Sequence, residues 1–191
     1  SLGGEVILIN DDRDYPGDAE SYVLLYEFRE GLEKYLKDSN SSMKTLSDII
    51  DFNNANKDIV MPHFGQDIFY KSIKSTSYLK YLWYKYKINK SYKSTKDLID
   101  KYDLDAFIGL TRGPAWKINF DGGDYVAMNS SLEFGSGGYA AHSGMPHITI
   151  PYFEINNFPV GISIIGDRWA DKTIIRYASA IEKSRYNLAT Q

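Results

Sequence analysis

The hydrophobic pattern of this 191-residue chain changes period near residue 104, and that switch restricts the fold more than any single motif. Before it, apolar residues recur at the 3.6-residue spacing of helices. After it come short apolar runs of strand length, Asp105–Leu110, His147–Ile150 and Val160–Ile165, and then one more helical pattern. Helices followed by strands, loops and a closing helix predict an α/β fold. The chain divides on this pattern into a helical segment, about 18–103, and a strand-rich segment, about 104–191.

In the first segment, Asp18 is placed to N-cap a helix running to about Lys37, with Glu20 near the positive end of its dipole. Leu24, Leu25, Phe28, Leu32, Tyr35 and Leu36 follow the helical period and are expected to form one buried stripe. Thr45 and Asp48 form a capping-box start, T-x-x-D, for a short helix carrying Leu46, Ile49, Ile50 and Phe52. A short helix is expected from Gln66 to Ile73. A long one follows from Tyr78 to Tyr102, with a break at Ser94-Thr95, where S-x-x-D offers a second cap. Upstream, Val6-Ile-Leu-Ile9 reads as a strand entered from a glycine turn, followed by a loop over 11–18. A chain that opens in mid-strand reads as a piece cut from a longer polypeptide. Near the other end, Asn156-Asn-Phe-Pro159 is the turn between the last two strands. The closing helix, Asp171 to Tyr186, carries Ile174, Ala178, Ile181 and Arg185 on one face.

Composition removes whole classes of chemistry. The chain has no cysteine, so it holds no disulfide scaffold, thiolate zinc site, iron–sulfur cluster or cysteine nucleophile. With 22 basic and 25 acidic residues the net charge is −3, against a general nucleic-acid binder. The lysines of the long helix, Lys80, Lys85, Lys87, Lys90 and Lys93, lie beside Tyr78, Tyr81, Trp83, Tyr84 and Tyr86 in a pattern compatible with base stacking. A half-buried helix with a solvated lysine side is the preferred reading, given the overall charge. No stretch approaches the roughly 20 apolar residues of a membrane span, and the first apolar run is too short for a signal peptide. The expectations are therefore no nucleic acid, no membrane and a cytoplasmic location.

Catalytic patterns are weak. Phe134-Gly-Ser-Gly-Gly-Tyr139 is glycine-rich, but it matches neither G-x-x-x-x-G-K-[ST] nor G-x-G-x-x-G, and reads as a loop before a short helix. His142 and His147 are five apart, not the four that aligns two ligands on a helix, so neither metal nor cofactor is expected. A triad of Ser136, His142 and an aspartate can be drawn on paper, but no G-x-S-x-G elbow supports it. Histidines at strand starts are more often hydrogen-bonded structural groups.

Three ordered segments carry a resemblance that composition does not. The first joins Leu25-Tyr-Glu-Phe-Arg29, Lys44-Thr-Leu-Ser-Asp-Ile-Ile-Asp-Phe-Asn-Asn-Ala55 and Pro62-His-Phe-Gly-Gln66. The second is Leu104-Asp-Ala-Phe-Ile108 followed by Gly113-Pro-Ala-Trp116. The third is Gly144-Met-Pro-His-Ile-Thr-Ile-Pro151, Phe158-Pro-Val-Gly-Ile-Ser-Ile-Ile-Gly166 and the closing helix. From about Gly3 to Tyr186 the chain resembles the C-terminal part of an amidase of the amidase signature family.

The resemblance implies an amide hydrolase whose serine–cis-serine–lysine triad lies in the N-terminal part, in and near a G-G-S-S-G-G-S stretch that this sequence lacks. Gly135-Ser-Gly-Gly138 falls elsewhere in the family pattern, so no catalytic residue is carried over to this chain. Leu110 is a departure, since relatives usually have Pro before the Thr, and it is expected to affect the loop holding Arg112 and Trp116. The resemblance further implies that residues 1–191 are a single portion of a larger amidase domain, with its strands in a mixed sheet flanked by helices. It places Thr111, Gly113 and Trp116 as candidates to line a pocket for a small-molecule carboxamide. Trp116 packed in a rigid turn is the competing reading. The expected activity belongs to a longer protein, with this chain inactive alone and prone to self-association through a sheet edge or an apolar face, the helices from Asp18 to Tyr102 offering secondary contacts. The alternative is a non-catalytic interaction or scaffold domain derived from an amidase.

Overall fold

A computed structural model of the chain describes residues 3–10, 16–123, 126 and 135–189, the side chains of 185–189 excepted. The chain forms two compact units. One holds residues 16–88 and 120–123, and the other holds 1–15, 89–119 and 124–191.

The first unit is helical. Helix α1 spans Gly17–Asp38, α2 Leu46–Ala55, α3 Lys57–Val60 and α4 Asp67–Lys74. Helix α5, Tyr78–Tyr102, has its first turns in this unit and its remainder in the other. The T-x-x-D box forms as expected: Asp48 N–H donates to Thr45 Oγ1, and Thr45 N–H donates to Asp48 Oδ2. Three expectations are corrected. Pro16, not Asp18, holds the N-cap of α1, and Asp18 joins Glu20 in the first turn, where its charge complements the dipole's positive end. The buried face of α1 is set by Ala19, Val23 and Leu36, while Leu24 and Tyr35 are exposed and Phe28 stacks on Phe69. Counting apolar residues misplaces this face, because Tyr22 and Arg29 are also half-buried with their polar tips bonded, and Tyr26 stacks on Tyr81. Tyr22 Oη bridges the N–H and C=O of Ser77, and Arg29 donates to Ser75 O at the end of α4. Third, α5 runs unbroken through Ser94-Thr95. Ser94, the cap of the S-x-x-D pattern, donates its hydroxyl to Ser91 O within the helix, and Thr95 is buried with its hydroxyl bonded to Ser143 (3.0 Å).

The second unit is built on three antiparallel strands in the order β1-β3-β2: β1 Phe107–Leu110, β2 His147–Ile155 and β3 Phe158–Ile165. Asn156 and Asn157 make the two-residue hairpin with φ of 53° and 65°, the left-handed pair whose twist suits a hairpin and which asparagine tolerates. Helix α6, Gly137–Ser143, precedes β2, and α7, Asp171–Ala189, closes the chain. Both sheet faces are covered, so Ile162–Ile165 of the central strand are all buried. Ile150, Ile162 and Ile164 pack on Ile174 and Ala178 of α7. On the opposite face, Ile165 and Phe107 pack with Ile99 of α5, Ala140 of α6 and Met145. Ile181 joins the first cluster, while the side chain of Arg185 lies outside the described residues.

The G-x-P strand pattern acquires a physical reason here. Gly144 ends α6 at φ 61°, in the left-handed position that glycine occupies without strain. The Arg168 guanidinium donates twice to Ser143 O and lies 3.7 Å over Tyr92, satisfying a helix-end carbonyl. Val6–Ile9 is not a strand. Gly4–Asn10 has no regular structure, and Val6 and Leu8 are 83% and 96% exposed. A strand exists only through a ladder, and no described segment pairs with this one. Among the described residues, no helix is long and apolar enough to cross a membrane.

Candidate functional site

The strand-bearing unit gathers its polar side chains on one sheet face. In an antiparallel ladder, residues opposite one another share a face. The pairs Gly109↔Ser163 and Thr149↔Ser163, with His147↔Ile165, set His147, Thr149, Ser163 and Gly109 on the face away from α7. Thr111 continues this row just past the carboxyl end of β1, its N–H donating to Gly161 O (2.9 Å).

Four side chains bond there in a ring. Ser163 is fully buried, and its Oγ lies 2.6 Å from His147 Nε2. Ser163 Oγ donates to Thr111 Oγ1 at 2.9 Å, and Thr111 Oγ1 donates to Thr149 Oγ1 at a long 3.4 Å. Thr149 Oγ1 stands 3.4 Å from His147 Nε2, closing the circuit. Thr111 is half-buried, whereas His147 and Thr149 are exposed, so the ring has a buried floor and an open side. Gly161 makes room for it: a Cβ there would stand 2.6 Å from Thr149 Cγ2 and 3.1 Å from Thr111 Oγ1. Gly109 does the same for Ser136, whose Cβ is 3.2 Å from where the glycine's own would be.

A second group of contacts fixes the loop that leaves β1. Ser136 N–H and Oγ both donate to Leu110 O, and Arg112 bridges to Gly135. Because Thr111 N–H faces β3, the N–H of Leu110 points to the opposite edge. A proline at this position would therefore cost no bond to β3, and leucine in its place leaves the ladder unchanged. Beyond it, the Arg112 guanidinium lies 5.0 Å over the half-buried Trp116 ring.

Of the three residues expected to line a pocket, Thr111 enters the ring, Trp116 stacks under Arg112, and Gly113 is half-buried in the loop that joins them. Sequence reasoning missed Thr149 and Ser163 and gave His147 only a structural role. The available signal was the period-2 placement of His147 and Thr149, and the lone serine within an otherwise apolar run. Ser136 and His142 serve structure: the serine binds Leu110 O, and the histidine is buried in α6. Phe134 lies outside the described residues. Among the described residues, no three His, Asp or Glu side chains converge as a metal would require.

The lysine-rich part of α5 uses its cations locally. Lys80 lies over Tyr22 (4.6 Å), Lys87 over Trp83 and Tyr84, and Lys85 binds Glu27 and Tyr81. Hydrogen bonds from Tyr81 and Lys85 hold the Glu27 carboxyl below its ordinary range.

No family model matches the chain. It is similar to the solved peptide amidase of Stenotrophomonas maltophilia, with 26% identity and a TM-score of 0.78 over 90% of this chain and 34% of that one. It is similar also to a glutamyl-tRNA(Gln) amidotransferase subunit of Pseudothermotoga lettingae, 31% identical over 134 residues, which are 65% of this chain and 28% of that protein. An amidase family protein of Bacillus anthracis shares the fold, with a TM-score of 0.71 at 20% identity over 96% of this chain and 32% of that one. The chain spans about a third or less of the length of these relatives.

Proposed function

This chain is a relative of the amidase signature enzymes over most of its length, and from that premise we propose that it is the C-terminal, pocket-lining part of an enzyme hydrolysing carboxamide C–N bonds. In this reading the reaction runs through a serine–cis-serine–lysine triad outside these residues, since the sequence holds no G-G-S-S-G-G-S stretch. The three antiparallel strands form part of a larger, mixed sheet. One observation carries the reading: the Thr111 hydroxyl at the carboxyl end of β1, where ligands of open α/β sheets gather, belongs to a bonded hydroxyl face, and the loop that follows carries the cation-stacked Trp116. Thr111, Gly113 and Trp116 then line the amide pocket, and the Thr111 hydroxyl is already oriented by Ser163.

The test begins with the gene. An upstream lysine and G-G-S-S-G-G-S in one reading frame are expected, and the polypeptide carrying both is expected to hydrolyse members of a panel of primary carboxamides. The 191-residue chain alone is expected to show none of this turnover, because removing the nucleophile of a serine hydrolase costs roughly a millionfold. Turnover by the chain alone, lost in Ser136→Ala, overturns the reading. A parent without the triad replaces it with a non-catalytic interaction domain.

The same reading predicts self-association of the isolated chain. β1 and β2 each pair on one side only among the described residues, and Val6, Leu8 and Trp169 stand open to solvent. The outer edges of β1 and β2 are the contact sites, because β3 is paired on both sides. Light scattering at micromolar concentration is expected to give a mass that rises with concentration; a constant monomer mass refutes it.

A further inference from the structure

We propose that the ring of Thr111, Ser163, His147 and Thr149 is a recognition site for a neutral, planar carboxamide, and that it discriminates the amide from the carboxylate left by its hydrolysis. The biological sense of this site rests on the amide-hydrolase reading above. Its chemistry rests on the direction of the hydrogen bonds.

Ser163 has one hydroxyl proton, and it is donated to Thr111 Oγ1. The 2.6 Å contact between Ser163 Oγ and His147 Nε2 therefore needs its proton on the nitrogen. Thr111 passes its own proton to Thr149. Thr149 Oγ1 lies near the same Nε2, but a nitrogen that carries a proton cannot accept another bond. The proton of Thr149 is thus without an acceptor inside the ring. On a neutral imidazole the lone pair of Nδ1 remains as well, and that atom makes no hydrogen bond among the described residues. The ring leaves one donor and one acceptor, both on exposed residues two apart on the same face of β2.

An amide offers the complementary pair, a carbonyl oxygen for the Thr149 hydroxyl and an N–H for His147 Nδ1. A carboxylate offers two acceptors and no donor. One oxygen can take the Thr149 proton, and the other meets the Nδ1 lone pair. Sites built on a fixed hydrogen-bond pattern reject analogues that leave a polar group unpaired. The ring contains no Asp, Glu, Lys or Arg, so it selects on hydrogen-bond pattern and not on net charge. Gly161 keeps it open, since a Cβ there would press on both threonines.

Long-range ¹H–¹⁵N spectra of His147 in this chain, recorded at pH 8, test the site with propionamide and then with sodium propionate. The expected result is the Nε2–H tautomer, with a saturable shift of Nδ1 and Thr149 on adding propionamide and roughly tenfold weaker binding of propionate. Ser163→Ala is expected to mix the tautomers and weaken propionamide roughly tenfold. Thr149→Val, an isosteric change at an exposed position, is expected to weaken it as much and leave the tautomer intact. An Nδ1–H tautomer in the wild type, equal binding of both probes, or no response at His147 overturns the proposal. Binding without hydrolysis by the triad-bearing polypeptide sinks the hydrolase reading and leaves this site standing. Hydrolysis with His147 silent to propionamide does the reverse.

Discussion

The two units of this chain are held together by different chemistry. Ten of the fifteen hydrophobic residues buried among the described residues belong to the strand-bearing unit, so aliphatic packing organises that unit. The helical unit must rely on something else, and it relies on polar-tipped side chains. Gln66, 8% exposed, accepts from Asn53 Nδ2 (2.9 Å) and donates to Asn54 Oδ1 (2.9 Å) and to Ile50 O (3.2 Å). Tyr26 stacks on Tyr81 at 4.4 Å, while Tyr81 donates to Glu27. The difference teaches where each unit breaks. The first fails when volume is lost, the second when a bond is left unmade.

Ile164→Ala tests the first half of that comparison hardest. Its side chain is buried between the sheet and α7, and the truncation is expected to destabilise by about 2–5 kcal/mol in a denaturant titration. A loss under 1 kcal/mol would mean that this core is not close-packed. Gly161→Ala adds volume instead, pressing on Thr149 and Thr111. A cost of about 1–3 kcal/mol is expected, together with a changed His147 signal; a neutral outcome would show that the sheet yields and that the glycine does not shape the ring.

For the helical unit, Gln66→Leu keeps most of the volume and removes three hydrogen bonds. About 1–3 kcal/mol is expected, because Ile50 O and both asparagines lose their partner. If the leucine variant is as stable as wild type, the unit is held by apolar contact after all and the contrast collapses. The smallest effect sits at the start of α2. Thr45→Ala is expected to cost about 1 kcal/mol. Backbone N–H groups of Lys44 and Thr45, and then the Thr45 hydroxyl, hold the Asp48 carboxyl below its ordinary range. A carboxyl depressed on folding stabilises above its unfolded pKa, about 3.9, and that contribution fades as pH falls through the lower folded value. Carbonyl NMR of Asp48 is expected to show a midpoint below that of a free aspartate, moving up in Thr45→Ala. An ordinary midpoint in the wild type would sharpen the comparison by removing this cap from the account.

The legibility of the sequence follows the same division. Val160–Ile165 reads as a buried strand because both its faces are covered, which leaves a run with no outer polar side. The capping box is legible because its partners are three residues apart. The buried face of α1 is not, since Tyr22 and Arg29 turn inward onto backbone groups of Ser77 and Ser75, in the connection between α4 and α5. Val6–Ile9 fails for a related reason: its apolar run has strand character, but pairing requires a neighbour that local sequence does not supply. The candidate site divides in the same manner. Thr111 is legible through the amidase resemblance, which implies a pocket at strand ends, whereas Ser163 is hidden in an apolar run until the register places it beside His147 and Thr111.

By itself, then, the sequence determined what depends on neighbours a few residues away: the helical and strand periods, the cap at Thr45, a turn starting at Asn156, though not that Phe158 and Pro159 already belong to β3, and the ordered segments that mark the relationship to amidases. Only the tertiary structure decided which groups meet across long stretches of chain. Thr95 bonds to Ser143 instead of breaking α5, Gln66 locks two asparagines, and three strands bring Thr111, Ser163, His147 and Thr149 into one ring. The reason is physical. A backbone period is written in adjacent residues, but the partner of a buried hydroxyl is fixed by strand register and helix docking, which depend on the whole unit at once.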